Sequence, residues 1–261
     1  RLFVSSWNVG GTQPPENMNL ITVLLDDQST EADIYVFGFQ EIVPLNAGNI
    51  LVPEKGEVVS AKWNSLIKTA LNRKKKSIGD TLQKPEESQR IYPLDTNTSN
   101  ITISSKFECL LSKQMVGVYI TIWVRRELHD NISHLSASSV GCGIFGYLGN
   151  KGSVSIRFYL YETSFCFVCT HLASGGKKGD ERQRNTDATH ILTRTLFPAE
   201  SVHHRLPRRI LDHDRVIWFG DLNYRIHLPE ATTRSLVTNK EWSILLQNDQ
   251  VRYNYQNADF F

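Results

Sequence analysis

The chain has 261 residues, of which 40% are hydrophobic, and a formal net charge of +2. These values fit a soluble globular protein, and the near-neutral charge argues against a nucleic-acid partner, because nucleic-acid-binding domains are usually markedly basic. No apolar stretch reaches the roughly 20 residues that a membrane-spanning helix needs, and Arg1-Leu2-Phe3-Val4 enters a strand without a signal peptide. No low-complexity linker divides the chain, so one large domain is expected.

Hydrophobic periodicity predicts strands and helices along the whole chain. The strand-like segments are 2–9, 34–40, two strands within 106–126 broken near 112–114, 153–160, 165–171 after a turn at 162–164, and 214–220. The helical segments are 17–27, 62–73, 180–197, 229–238 and 241–249. The polar stretch 74–105 is predicted to be a surface insertion. This pattern indicates an α/β fold, with two sheets packed face to face and helices outside.

Four of the apolar strands end on side chains of the types that take part in catalysis and metal binding. In chain order, these end groups are Asn8, Glu41, His171, and Asp221 with Asn223. A neutral polar group left unpaired near a core costs about 2–7 kcal/mol, and a charge costs more. We therefore expect the strand ends to converge, so that these groups satisfy one another, a metal or a substrate.

Each of these groups also has an ordinary structural explanation. A lone Glu41 after a strand is often a solvated loop residue, although Mg²⁺ prefers one or two carboxylates with water and substrate oxygens. Asp221 at a strand end is often a turn former, but Asp221 and Asn223 share a face at a period of two. His171 alone is usually a structural group. Arg225 beside them is able to hold a phosphate oxygen by bidentate hydrogen bonds.

A glycine-rich loop runs from Gly141 to Gly152, with five glycines in twelve residues. Its first part satisfies G-x-G-x-x-G, but a dinucleotide site needs a helix directly afterwards, and here a strand pattern follows. Two explanations stay open. The loop is either a flexible connection or a segment whose bare backbone and Lys151 approach a phosphate.

Four cysteines favour buried reduced thiols over a zinc site or a disulfide framework. Cys166 and Cys169 form C-x-x-C within a strand pattern, where an offset of three places them on opposite faces. No second such pair completes a zinc site. Reduced thiols indicate the cytosol, so a cytoplasmic location is predicted.

Together, these motifs resemble those of the inositol polyphosphate 5-phosphatases. The shared motifs are Trp7-Asn8-Val9-Gly10, Gln40-Glu41, Gly149-Asn150-Lys151-Gly152, Thr170-His171-Leu172 and Gly220-Asp221-Leu222-Asn223-Tyr224-Arg225. The resemblance covers most of the chain outside 74–105 and is greatest to plant-type members. It places the chain in the endonuclease/exonuclease/phosphatase superfamily. It implies a deoxyribonuclease-like, four-layer α/β/β/α sandwich.

The resemblance also implies Mg²⁺-dependent removal of the 5-phosphate from inositol polyphosphates or phosphoinositides. By this resemblance, Glu41 binds Mg²⁺, and Asn8 helps to position the metal and the attacking water. Asp221 orients or deprotonates that water, while Asn223 and His171 hydrogen-bond the phosphoryl oxygens. The expected substrate contacts are Asn150, Lys151 and Arg225. The sequence lacks C-x₅-R, so direct attack by water is expected instead of a phospho-cysteine intermediate.

Three features of the family pattern are missing after Asn223-Tyr224-Arg225. The family continues with a lysine-containing segment and a Pro-Ala-Trp-Cys-Asp-Arg motif, and ends near a Ser-Asp-His; this chain contains none of them. We therefore expect 1–261 to be a catalytic domain that lacks its C-terminal part. The alternatives are a nuclease or phosphodiesterase of the same fold, and a catalytically inactive interaction fragment. Peripheral membrane contact is expected only if the substrate is a lipid.

Overall fold

The computed structural model describes residues 1–15, 18–20, 31–45, 54–73, 105–143, 146, 149–177, 179–199 and 206–252. The strands within these ranges are β1 (Leu2–Asn8), β2 (Ile34–Gln40), β3 (Phe107–Met115), β4 (Val118–Arg125), β5 (Ile132–Gly141), β6 (Gly152–Leu160), β7 (Thr163–His171) and β8 (Arg215–Asp221). The helices are α1 (Glu54–Leu71), α2 (Asp180–Arg194), α3 (Glu230–Thr238) and α4 (Trp242–Gln247). Short 3₁₀ turns cover Arg126–Asn131 and Ile210–Asp212.

The strands form two four-stranded sheets, ordered β1-β2-β4-β3 and β5-β6-β7-β8. The pairs β1/β2 and β7/β8 are parallel, and the other neighbours are antiparallel. Parallel pairing brings the carboxyl ends of both strands to the same edge. Asn8 therefore lies opposite Gln40, and His171 lies opposite Asp221.

Three apolar clusters hold four layers together. The cluster between the sheets is built largely of β-branched residues, including Val36, Ile120 and Ile156. On the outer face of the first sheet, Trp63 and other α1 residues pack against the aromatic side chains of that sheet. On the outer face of the second sheet, α2 packs through residues such as Ile191. The expected four-layer α/β/β/α sandwich is confirmed.

The two sheets pack closely at a glycine of β2. A Cβ atom added to Gly38 would lie 2.5 Å from a ring carbon of Phe219 and 2.6 Å from Sγ of Cys169. Cys169 faces this seam, whereas Cys166 belongs to the cluster beneath α2, so the two cysteines lie on opposite strand faces as predicted. All four cysteines are free, but Cys109 is exposed and not buried as expected.

Several element boundaries differ from the sequence predictions. The break between β3 and β4 falls at Val116 and Gly117, and not near 112–114, which lie within β3. As an edge strand, β3 tolerates the polar run that suggested a break. The strand β5 was not predicted, because its serines and a register shift between Ser133 and Ser136 interrupt the alternation. Helix α1 begins earlier than predicted, and α2 ends at Arg194 instead of 197.

Two sequence predictions fall mainly on residues that the structure does not describe. The helix at 17–27 lies outside the described residues except for 18–20, and the insertion at 74–105 except for Ser105. Among the described helices, none has the length and apolar character needed to cross a bilayer.

Candidate active site

The carboxyl ends of β1, β2, β7 and β8 meet at one end of the sandwich, as the sequence predicted. There, Nδ2 of Asn8 donates to Oε1 of Glu41 at 3.2 Å and to Oδ2 of Asp221 at 2.9 Å. Nε2 of His171 lies 3.8 Å from Oε1 of Glu41 and 3.5 Å from Oδ2 of Asp221. One amide, two carboxylates and one imidazole from both sheets therefore form a single cluster.

Two members of the site have a left-handed backbone, with a φ of 55° at Glu41 and 57° at Asn223. This conformation is uncommon for residues other than glycine, and it costs about 1–3 kcal/mol unless the surroundings enforce it. The backbone N–H of Gly11 donates to the Glu41 carbonyl at 2.7 Å, and that of Asn223 donates to Oδ1 of Asp221 at 3.1 Å. The turns that direct the carboxylate and the amide are thus fixed by hydrogen bonds.

The side chain of Asn223 is held at both of its polar atoms. Nδ2 donates to the carbonyl of Leu172 at 2.9 Å, and Oδ1 accepts from Nη2 of Arg225 at 2.7 Å. Leu172 directly follows His171, so this amide joins the loop after β7 to the loop after β8. The structure therefore brings Arg225 next to the predicted phosphate-binding groups.

Lys151 also reaches the cluster, since its Nζ lies 2.5 Å from Nε2 of His171. Its neighbour Asn150 has a buried side-chain oxygen without a hydrogen-bond partner in the described part of the chain. The strand β6 begins directly after these residues, which agrees with the rejection of a dinucleotide site. The glycine-rich loop thus places Lys151 beside His171 at the cluster, and its approach to a phosphate stays a prediction.

Burial controls the charge of the imidazole. Loss of water, together with the nearby Lys151 ammonium, lowers the pKa of His171 to about 4. Burial also lowers the pKa of Lys151, while the charges of Asp221 and Glu41 oppose this shift. At neutral pH, His171 is therefore an uncharged ring beside a lysine and two carboxylates.

The carboxylates suit a hard cation. Among the residues that the structure describes, no group of three or more His, Cys, Asp and Glu side chains is arranged to hold a metal ion. Mg²⁺ is commonly held by one or two carboxylates, with water and substrate oxygens in its other positions. Glu41 beside Asp221 fits that pattern. Asn8 presents Nδ2 to the carboxylates because its Oδ1 accepts the Gly10 N–H at 3.0 Å.

The sequence interpretation missed the buried polar residues behind the site. Arg184 and Asp187 on α2 are fully buried, and Gln250 is 8% exposed. Oδ2 of Asp187 accepts from the backbone N–H of Ala173 at 2.9 Å, and burial raises the pKa of this carboxyl. The available signal was two charged residues three positions apart, at helix positions that face the sheet.

Comparison with known proteins decides the family. The family model described as "Endonuclease/Exonuclease/phosphatase family 2" matches residues 5–261. The chain belongs to this family. The motif-based resemblance to inositol polyphosphate 5-phosphatases is confirmed by relatives from Arabidopsis thaliana. The type IV inositol polyphosphate 5-phosphatase 9 is 53% identical, with 100% of this chain and 59% of the relative covered. The type I inositol polyphosphate 5-phosphatase 8 is 46% identical, with 100% and 55% covered.

Solved structures support the same fold. The inositol polyphosphate 5-phosphatase domain of SPsynaptojanin, in complex with inositol (1,4)-bisphosphate and calcium ion, matches with a TM-score of 0.72 and 28% identity. That match covers 100% of this chain and 63% of the solved one. A Cimex nitrophorin ferrous NO complex, 15% identical, reaches a TM-score of 0.58 over 98% of this chain and 71% of its own. Because one fold carries such different proteins, function has to be argued from the site.

The chain is shorter than these relatives. It spans 59% and 55% of the two Arabidopsis thaliana proteins.

Proposed function

We propose that the full-length protein is a Mg²⁺-dependent phosphatase that removes the 5-phosphate from inositol polyphosphates or phosphoinositides. The observation that carries the proposal is the single cluster formed by Glu41, Asp221 and His171 around the amide of Asn8. The names of the relatives support the substrate class. The inositol (1,4)-bisphosphate and calcium in the related SPsynaptojanin domain support an inositol phosphate ligand and a divalent cation.

Glu41 is the residue that would hold the cation, with Asn8 keeping its carboxylate in place. When bound, Mg²⁺ supplies positive charge that neutralises phosphoryl oxygens and orients the ester. The Asp221 carboxylate accepts a proton from the attacking water. Its orientation is fixed at both oxygens, by Asn8 at Oδ2 and by the backbone of Asn223 at Oδ1.

The remaining residues stabilise charge on the transferring group. The transition state of phosphoryl transfer spreads negative charge over the equatorial oxygens, so fixed donors and cations supply most of the catalysis. His171 and Asn223 hydrogen-bond these oxygens. Lys151 and Arg225, which contact His171 and Asn223 respectively, bring positive charge to the substrate. The unpaired oxygen of Asn150 accepts a hydrogen bond from a substrate hydroxyl.

Soluble inositol phosphates and phosphoinositide lipids share the chemistry that this site recognises. A soluble substrate fits a cytoplasmic enzyme, and a lipid substrate adds peripheral contact with a membrane. A nuclease of the same fold is the second candidate. The net charge of +2 disfavours it, because binding to a phosphate backbone relies on an excess of basic residues.

The experiment is phosphate release by the full-length protein from inositol 1,4,5-trisphosphate and from vesicles that contain phosphatidylinositol 4,5-bisphosphate, with Mg²⁺ and with EDTA. Abasic DNA is the control substrate. Mg²⁺-dependent release from either inositol compound supports the proposal. Cleavage of DNA alone would indicate the nuclease, and inactivity on all three substrates would indicate an inactive interaction module.

A further inference from the structure

A buried arginine and a buried glutamine lie behind the site. Arg184, on α2, is 0% exposed, and Gln250, which follows α4, is 8% exposed. Neither belongs to the cluster of Asn8, Glu41, His171 and Asp221. A buried guanidinium is strongly disfavoured unless hydrogen bonds replace its water, so the partners of Arg184 indicate what its burial achieves.

In the described part of the chain, the hydrogen-bond partners of Arg184 are two loop carbonyls and the side-chain amide of Gln250. Nη1 donates to the carbonyls of Ala173 at 3.4 Å and Gly175 at 3.1 Å, in the loop that follows His171. Nη2 donates to Oε1 of Gln250 at 2.9 Å. The guanidinium also lies over the ring of Tyr224, 5.4 Å from its centroid. Arg184 therefore ties the loop after β7 to Gln250 and to the loop after β8.

Gln250 forms hydrogen bonds with both backbone polar groups of Arg225, its N–H and its carbonyl. Its Oε1, which accepts from Arg184, also accepts the backbone N–H of Arg225 at 2.9 Å. Its own backbone N–H donates to the Arg225 carbonyl at 3.1 Å. With its backbone fixed in this way, Arg225 directs Nη2 to Oδ1 of Asn223 at 2.7 Å.

We propose that Arg184 and Gln250 are positioning residues that set the direction of the Arg225 guanidinium towards the substrate phosphate. The chain of contacts runs from α2 through one glutamine oxygen to the backbone of Arg225, and from there to Asn223. This inference rests on the proposed function, in which Arg225 contacts the substrate. It adds two residues that touch neither substrate nor cation but determine how tightly the substrate is held.

The test uses the full-length protein and the variant Gln250→Ala. Because Arg225 contributes to substrate binding, KM for inositol 1,4,5-trisphosphate is expected to rise about tenfold, while kcat stays within about twofold. Gln250→Glu keeps the accepting oxygen and is expected to restore KM. Gln247→Ala, at an exposed position of α4, is the matched control. Arg184→Ala is compared with Arg182→Ala, an exposed position of the same helix, after thermal unfolding has confirmed that each variant is folded.

A double-mutant cycle separates positioning from a general structural role. In the Arg225→Ala background, Gln250→Ala is expected to change KM by less than about twofold, since the side chain that it positions is gone. An equal effect in both backgrounds, or an unchanged KM in Gln250→Ala, would overturn the inference while leaving the phosphatase proposal intact. Binding of inositol 1,4-bisphosphate, measured by calorimetry, provides a readout without turnover. A wild-type protein that neither hydrolyses nor binds these compounds would defeat both proposals.

Discussion

Nδ2 of Asn8 donates to Oδ2 of Asp221 at 2.9 Å and joins residues that are 213 positions apart in the chain. Asn8 ends an edge strand of the first sheet, and Asp221 ends an edge strand of the second. The site therefore exists only when both sheets have formed and packed. Loss of activity in a variant is informative about chemistry only when folding is measured beside it.

The first prediction concerns Asp221, the carboxylate proposed to activate the attacking water. Asp221→Ala in the full-length protein is expected to lower kcat at least about a hundredfold, because it removes the proton acceptor. Asp130→Ala, at a fully exposed side chain, is the control. Circular dichroism and thermal unfolding check that the fold is retained. A near-normal rate in a folded Asp221→Ala protein would contradict the assignment.

The second prediction takes the backbone of Asn223 into account. At a φ of 57°, alanine would add strain, whereas glycine removes the side chain and keeps the conformation. Asn223→Gly is expected to lower kcat by about two orders of magnitude, because the proposed donor to the transition state is lost. Asn223→Ala is expected to show the same rate loss and a lower melting temperature. Steady-state kinetics with parallel thermal scans test both expectations.

The third prediction concerns the cation. Glu41→Gln preserves side-chain size but removes the carboxylate, so the Mg²⁺ concentration for half-maximal phosphate release is expected to rise about tenfold or more. Glu162→Gln, on an exposed turn, is the control. Titration of Mg²⁺ at saturating substrate gives the measurement. An unchanged Mg²⁺ requirement would show that Glu41 does not hold the ion.

The fourth prediction is about stability and pH. Because the pKa of His171 falls from 6.5 to about 4 on folding, the unfolded chain takes up a proton first as the pH decreases. The folded state therefore loses stability between pH 6.5 and pH 4, and the loss from this residue is about 2 kcal/mol at pH 5. Urea unfolding of wild type and His171→Gln in EDTA, at pH 7 and pH 5, tests this. The variant is expected to lose less stability on acidification; equal losses would contradict the prediction.

The fifth prediction compares two glycines. A Cβ atom at Gly220, where φ is 124°, would lie 2.2 Å from the carbonyl oxygen of Thr170, whereas one at Gly176 meets nothing within 4 Å. Gly220→Ala is expected to destabilise the protein by more than about 3 kcal/mol, because it combines a strained backbone with a clash. Gly176→Ala is expected to change stability by less than about 0.5 kcal/mol. Thermal unfolding of both variants measures the difference.

The location of the site was predictable because strong signals coincide there. Strand β2 is fully buried and β8 is partly buried, and both are nearly continuous apolar runs. Each leads directly into a polar residue that the family motifs also contain. The contacts within the site were harder to predict from the sequence. The sequence interpretation gave Asn8 a metal-positioning role, but only the structure shows that its Nδ2, held by the Gly10 hydrogen bond at Oδ1, faces both carboxylates.

Other features carry little periodic signal. The edge strand β5 has a serine-rich sequence with a register shift, so neither alternation nor hydrophobicity marks it. Gln250 lies outside every motif, and its importance comes from loop carbonyls and N–H groups that any residue type presents. Backbone contacts of this kind depend on tertiary packing and are invisible in a residue pattern.

The absence of a side chain at Gly38 allows the two sheets to pack closely at this point. Because Phe219 and Cys169 already fill the space where a methyl group would go, even the smallest enlargement would wedge the layers open. Gly38 lies three residues before Glu41, and Phe219 precedes Asp221 by two. Any substitution that enlarges this contact between the sheets is therefore expected to displace the strand ends that carry Glu41 and Asp221.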